Sequence, residues 1–366
     1  MNNPITILHH DPQDQIRAIV PFQTEPKNQT LAALVPFAPP HLQEHLATSI
    51  RYVRRSRAKN TQAAIVRDMK TFSKWCATVN RPWLPADSET IAAFAIAMME
   101  SRKPATIRRY VASISAVHKW MLEDGTPNPA DHKHVKEALT IVGRTLGSRQ
   151  KQAAPINLNL RTRMIKAALT SGKPWGRRDA AMIAIAYDAM ARRAELVGER
   201  DISKPGGVDE RKRGIWVEDI TFHEDGTGTV LIAFAKGDQE GEGSTRYLHA
   251  DTVSLIKDWM EEARIKSGPI FLSVDRWGNI REDAMSLQAV NKAFKRLAEE
   301  VGENPDGIGG HSCRVGMAQD MVEKGLGTAE IMQAGGWKTS AMVARYSEKQ
   351  RARKGAAAKM ALLQNR

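Results

Sequence analysis

Cysteine is scarce in this chain. Cys76 and Cys313 are the only two in 366 residues, too few for a disulfide scaffold or a cysteine-rich zinc site. Long apolar runs are missing as well. The longest, Ile91–Met99, has nine residues, about half of what a bilayer crossing needs. No basic-then-apolar leader opens the sequence, so the expected location is the cytoplasm, with no membrane partner. Acidic side chains are in deficit, 41 Asp+Glu against 54 Lys+Arg, which leaves a formal charge of +13. That imbalance makes a polyanion the first partner to consider, nucleic acid foremost. There is no Walker loop, no strand-linked dinucleotide fingerprint and no nucleophile-elbow serine. His9-His10 and His132-x-His134 have no further ligand nearby in sequence, so no metal is expected. The carboxylates form no spaced cluster of the kind a two-metal nuclease requires.

Hydrophobic residues at 42% and charged ones at 26% describe a globular protein, and the length suits two domains. Seven of the seventeen prolines fall within residues 1–40, which predicts a flexible or extended arm there. Helical periodicity starts near His41 and runs into a basic stretch holding Arg51, Arg54, Arg55, Arg57 and Lys59. Lacking acidic neighbours, it suits phosphate contact; a solvated helix end is the plain alternative. Further helices are expected at Thr61–Val79, Ser88–Ser101, Ala105–Glu123 and Asp131–Gly147, giving an all-helical domain over 41–147. A polar linker, 148–155, precedes a second domain over 156–366. That domain starts with helices at Leu158–Ser171 and Arg177–Ala191. The period then changes, and Gly214–Phe222, Gly228–Ala235 and Thr245–Leu248 read as short strands around glycine-rich turns. Helices resume from Thr252. The expected fold is mainly α, with a small antiparallel sheet inserted in the second domain.

Chemistry gathers towards the C-terminus. Gly310-His311-Ser-Cys-Arg314 follows a glycine-rich loop and opens a helical run, so His311 and Arg314 share one face, a turn apart. Gly335-Gly336-Trp337 and Ala344-Arg345-Tyr346-Ser347 come next. Upstream, Ala191-Arg192-Arg193-Ala194-Glu195-Leu196 ends an apolar helix, where an arginine needs a buried partner, either Glu195 or a bound anion.

This series resembles the tyrosine site-specific recombinases of the phage integrase family. The family order is Arg, a hairpin Lys, His-x-x-Arg, His or Trp, then Tyr. The matching positions are Arg192, Lys236, His311, Arg314, Trp337 and Tyr346, the last three lying 3, 26 and 35 residues after His311. The Arg-x-Ala-Glu match favours Arg192 over Arg193, and Glu195 resembles the family's acidic residue that orients active-site cations. Lys212 is a poorer lysine candidate than Lys236. Glu330–Trp337, Ser73-Lys-Trp-Cys76 and Leu84-Pro-Ala86 resemble one family member in particular.

The resemblance implies a Tyr346 nucleophile, a 3′-phosphotyrosine intermediate, and no metal, ATP or cofactor. Arg192 and Arg314 would clamp the nonbridging phosphate oxygens as planar forks. His311 would deprotonate the tyrosine or donate to the phosphate. Trp337 would position through its indole N–H, and Lys236 would protonate the departing 5′ oxygen. It implies four protomers on two double-stranded DNA sites with inverted repeats, exchanging strands through a Holliday junction, in a bacterial or phage-encoded system. A short C-terminal helix bearing Met360, Leu362 and Leu363 would serve subunit exchange, or else fold back on its own domain.

DNA reading is argued separately. Along Ser286–Glu300, Gln288, Asn291 and Lys295 share one face opposite Val290, Phe294 and Leu297, and such side chains can bond base edges in the major groove. The alternative is a polar solvent face. Their identities differ from those of the member most resembled, which implies a different target. Arg108 and Arg109 are candidates for DNA contact or for surface salt bridges. Rival readings are a DNA-binding protein that has lost catalysis and a type IB topoisomerase-like relaxing enzyme.

Overall fold

The computed structural model describes residues 30–147, 149, 152–200, 208–233 and 242–365. The chain forms two compact units, dividing between positions 150 and 151.

The first unit is all helical. The proline-rich stretch does not remain extended to residue 40: Leu31–Phe37 form a 3-10 helix with Leu31 and Leu34 buried. Two leucines three residues apart give that turn an apolar face, and Pro40 opens the next helix, where its missing N–H costs nothing. The rest of the expected arm, 1–29, lies outside the described residues. Five α-helices follow: α1 (Pro40–Ser56), α2 (Lys59–Thr78), α3 (Ser88–Ala97), α4 (Pro104–Met121) and α5 (Lys133–Leu146). Asp87 caps α3 by accepting the Thr90 N–H at 2.6 Å. His132 caps α5, its Nδ1 accepting the His134 N–H at 3.3 Å. Phe94 sits at the centre of the core, its ring centroid 4.9 Å from Phe72 and 5.4 Å from Trp75. His118 is fully buried among these helices. Its Nε2 accepts the Ala86 N–H at 2.9 Å and its Nδ1 faces the Ile114 carbonyl. Burial pushes its pKa down to about 4, so the ring is neutral.

The second unit begins with α6 (Leu158–Thr170), α7 (Pro174–Asp188) and the short α8 (Arg193–Val197). The strands are β1 (Gly198–Arg200), β2 (Val208–Arg213), β3 (Ile220–Phe222), β4 (Gly228–Ile232) and β5 (Ser244–Leu248). Strands β3–β4–β5 make the small antiparallel sheet, with Val230 opposite Arg246. Two antiparallel ribbons were not anticipated: β1–β2, and β6 (Leu272–Val274) with β7 (Ile280–Ala284). Val208-Asp-Glu-Arg-Lys-Arg213 and Ile280-Arg-Glu-Asp-Ala284 are largely charged, so they lack the apolar alternation by which strands are recognised. The expected strand at Gly214–Phe222 is ordered mostly otherwise, with a 3-10 turn at Val217–Asp219 before β3.

Helix α9 (Ala250–Glu262) lies between the sheet and the second ribbon, and α10 (Leu287–Glu300) follows that ribbon. The chain ends in α11 (Ser312–Glu323), α12 (Thr328–Gly335), α13 (Ser340–Tyr346), α14 (Glu348–Lys354) and α15 (Ala356–Leu363). Arg161 of α6 is buried against α9, bonding Asp251 and Thr252, each at 2.8 Å. Cys313 is buried in the main core, and burial raises its thiol pKa far above the ordinary value. At Gly316 a Cβ would lie 1.9 Å from the Ile156 carbonyl oxygen, so only glycine lets α11 approach that segment. A second, smaller apolar cluster holds Met190, Ala318, Ile331, Trp337 and Val343, with Tyr346 packed against it. Among the described residues no helix is long and apolar enough to cross a membrane.

Candidate active site

Helix α7 ends in a tight turn, with Met190 at φ 47°, and Arg192 then precedes α8. The Arg192 N–H donates to Glu195 Oε2 at 2.8 Å, while its guanidinium bonds the other carboxylate oxygen. Glu195 is buried, so one carboxylate both satisfies the helix start and orients the cation. Arg192 keeps 27% of its side chain exposed, leaving part of its fork accessible.

His311 stands at the start of α11. One turn on, Arg314 is only 2% exposed. It donates to the backbone carbonyls of Met190 and Gly335 and lies over the Trp337 ring, 4.7 Å from its centroid. Burial, then the nearby Arg192 charge, brings its pKa down to about 10. Burial followed by the charges of Arg192, Arg314 and Arg193 lowers the His311 pKa, against a smaller pull from Glu195. The imidazole is therefore neutral near pH 7.

Trp337 is 7% exposed, and its indole N–H is buried with no hydrogen-bond partner among the described residues. Such a donor is costly unless something arrives to accept it. Its ring centroid lies 5.5 Å from that of Tyr346. The Tyr346 carbonyl is held by Gln319 Nε2 at 3.0 Å. Tyr346, His311, Arg193, Gly310 and Asn291 are among the residues lining one open cavity of about 490 Å³.

The structure thus brings together Arg192, Glu195, His311, Arg314, Trp337 and Tyr346. Glu195 serves as a buried partner of Arg192. Lys236 lies outside the described residues.

The sites singled out for DNA contact fare differently. Val290, Phe294 and Leu297 are buried, whereas Gln288 and Lys295 are exposed on the other face of α10. Asn291 is not simply part of that open face: its Oδ1 accepts the Gly310 N–H at 2.9 Å. Arg109, half exposed, pairs with buried Asp68, which also accepts from Ser113 Oγ at 2.7 Å. Arg108, Arg51, Arg54 and Arg55 are exposed on α4 and α1. Met360, Leu362 and Leu363 are also exposed rather than folded back.

Sequence reasoning missed Arg246. From β5 it reaches the C-terminal end of α12, and nothing in Ser-Thr-Arg-Tyr-Leu marks it. Only the glycine pair before Trp337 hinted at a close approach there.

A cluster of guanidiniums, one carboxylate, a neutral histidine and a tyrosine on a mainly helical unit with a small sheet defines a class. The chain belongs to the phage integrase family, whose sequence model matches residues 159–353. It is 29% identical over 304 residues to the integrase/recombinase xerD homolog of Selenomonas ruminantium, covering 81% of this chain and 84% of that protein. To the recombinase cre of Escherichia phage P1 it is 24% identical over 311 residues, covering 80% and 85%. The fold also matches the solved XerH site-specific recombinase in its post-cleavage complex with palindromic difH substrate. That match has a TM-score of 0.60 at 14% identity and covers 90% of this chain and 92% of the other. The Tn1549 transposon integrase in complex with transposon right end DNA matches with a TM-score of 0.58 at 15% identity, over 85% and 98%.

Proposed function

We propose that this protein is a site-specific DNA recombinase that cleaves and rejoins DNA through a 3′-phosphotyrosine. The observation that carries this reading is the buried Trp337 indole N–H, which has no partner among the described residues, beside the Arg314 guanidinium and the Tyr346 ring. A phosphodiester supplies the missing acceptor and the missing negative charge together.

In the reaction, Tyr346 Oη attacks phosphorus, forming the Oη–P bond as the P–O5′ bond breaks. The phenolic proton passes to neutral His311, and Lys236 gives a proton to the departing 5′ oxygen. Arg192 and Arg314 clamp the nonbridging oxygens, and Glu195 holds Arg192 for that task. Each preorganised donor contributes on the order of 10²–10³ in rate. The phosphotyrosine conserves the bond energy, so rejoining by a free 5′ hydroxyl needs no ATP.

In this reading the enzyme is Cre-like but takes a different target, because the exposed face of α10 carries its own residues. It acts as a homotetramer on two inverted-repeat sites, through a Holliday junction. The exposed apolar strip of α15 supports the assembly. Helix α1, with Arg51, Arg54 and Arg55, supplies phosphate contacts, and the 41–147 domain binds DNA.

The test is covalent trapping on a nicked duplex carrying a site selected from a random library. The wild-type protein should form an adduct in EDTA, because arginines supply the charge stabilisation. Tyr346→Phe should bind the same DNA without an adduct. An adduct in that variant, or strict dependence on divalent ion, would remove the assignment.

A further inference from the structure

We propose that Arg246 is a positioning residue of this site: its guanidinium ties β5 to the C-terminal end of α12 and so sets Trp337 beside Arg314 and Tyr346. The inference rests on the recombinase reading only for its effect on DNA cleavage. The strut itself belongs to the free protein.

Helix α12 ends at Gly335, two residues before Trp337, and its last carbonyls need donors. Arg246 Nη1 donates to the Gln333 carbonyl at 3.0 Å and to the Ala334 carbonyl next to it. Arg314 donates to the third, that of Gly335. Three consecutive carbonyls are thus closed by two guanidiniums at the end of the helix where positive charge is favoured. Arg246 is itself steadied by Ser244, whose Oγ lies 3.1 Å from Nη2.

The glycine pair follows from this strut. Gly336 sits in the left-handed region at φ 57°, and a Cβ there would lie 2.0 Å from Arg246 Nη2. The guanidinium fills the space that any side chain at 336 would take. Trp337 leaves α12 from this fixed corner, its backbone N–H bonded to the Met332 carbonyl at 2.9 Å. Arg246 Nη1 is spent on two backbone oxygens of α12 and Nη2 on Ser244, and its contribution to catalysis runs through this tie to the corner that carries Trp337. Lysine cannot replace it, since an ammonium keeps the charge but lacks the planar fork.

The experiment begins with the free protein. The indole ¹⁵N–¹H resonance of Trp337, identified by its loss in Trp337→Phe, should move in Arg246→Ala while the other indole signals stay. If the alanine variant does not fold, Arg246→Lys carries the same measurement. An unmoved Trp337 signal overturns the proposal, whatever happens on DNA. With saturating protein on the nicked target, Arg246→Ala should slow adduct formation at least tenfold with binding retained, and Arg246→Lys should stay near the alanine value. Full recovery by lysine would assign charge instead of position and overturn the proposal. Gly336→Ala should reproduce the loss, and the double variant should be no slower than Gly336→Ala alone; additive losses reject the shared contact. A wild-type protein that forms no adduct refutes the recombinase reading and leaves the resonance test standing.

Discussion

Asn291 Oδ1 accepts the backbone N–H of Gly310 at 2.9 Å, which joins the exposed face of α10 to the residue that precedes His311. Gln288, one turn earlier on that face, is exposed. The two positions should therefore respond differently to alanine. Gln288→Ala should relax preference at one base pair by about 1–3 kcal/mol and leave cleavage of the bound complex intact. Asn291→Ala should leave the Gly310 N–H unsatisfied, at about 1–3 kcal/mol, and slow cleavage. Asn291→Asp, which keeps the acceptor, should recover part of that rate. Binding and cleavage measured across single-base-changed targets separate the two.

Neutralising Arg51, Arg54 or Arg55 should weaken binding to all sequences alike. Each change should flatten the dependence of log affinity on log salt by roughly one unit. Gln288→Ala should leave that slope unaltered. Titrations at several salt concentrations test both.

The His311 pKa is lowered by burial and by the surrounding arginines. If the neutral imidazole accepts the tyrosine proton, the acid limb of adduct formation should lie below the 6.5 of a free histidine, because protonated His311 cannot act. Arg193→Gln removes one lowering charge and should move the acid limb to higher pH. A pH–rate profile with an unshifted limb would exclude His311 as the base.

His118 offers a stability test away from the site. Its pKa is about 4 in the folded chain against 6.5 for free histidine. Between these values the unfolded chain binds a proton that the folded one does not. Stability should therefore fall as pH drops from 6.5 to about 4, by up to about 3 kcal/mol. His118→Phe should lower stability at pH 7, through the orphaned Ala86 N–H, and flatten that window in urea melts.

Removing the chain after Gln350 takes away α15 and most of α14. Met360, Leu362 and Leu363 are exposed there. Single-protomer binding to a half-site should change less than formation of the higher-order complex. Native gels comparing the two species would detect the opposite ranking.

Much of the fold is legible in the sequence. The helices show in apolar residues that recur every three or four positions, and the site in the resemblance of its Arg, His-x-x-Arg, Trp and Tyr order and spacing to a known family. The two charged ribbons were hidden, since their pairing is made by the backbone. Arg246 was hidden because its partner carbonyl lies 87 residues away and carbonyls leave no mark in sequence. Asn291 looked like any polar residue on an exposed face, and its bond to Gly310 depends on how a glycine loop folds back. Leu31–Phe37 misled because Pro36 lies inside its 3-10 helix and Pro39 and Pro40 open the next one, instead of extending the chain.

After burial, the Arg192 charge lowers the pKa of both Arg246 and Arg314, and Glu195 is the carboxylate that opposes it in each case. Three guanidiniums share this pocket with the one carboxylate, so their mutual repulsion is only partly offset. The resting protein is thus less stable than its packing alone would make it, and a dianion should act on it as a folding ligand. Millimolar sulfate, with no DNA present, should raise the melting temperature more than chloride at equal ionic strength. Arg314→Gln should shrink that difference, because the tension it relieves is then partly gone.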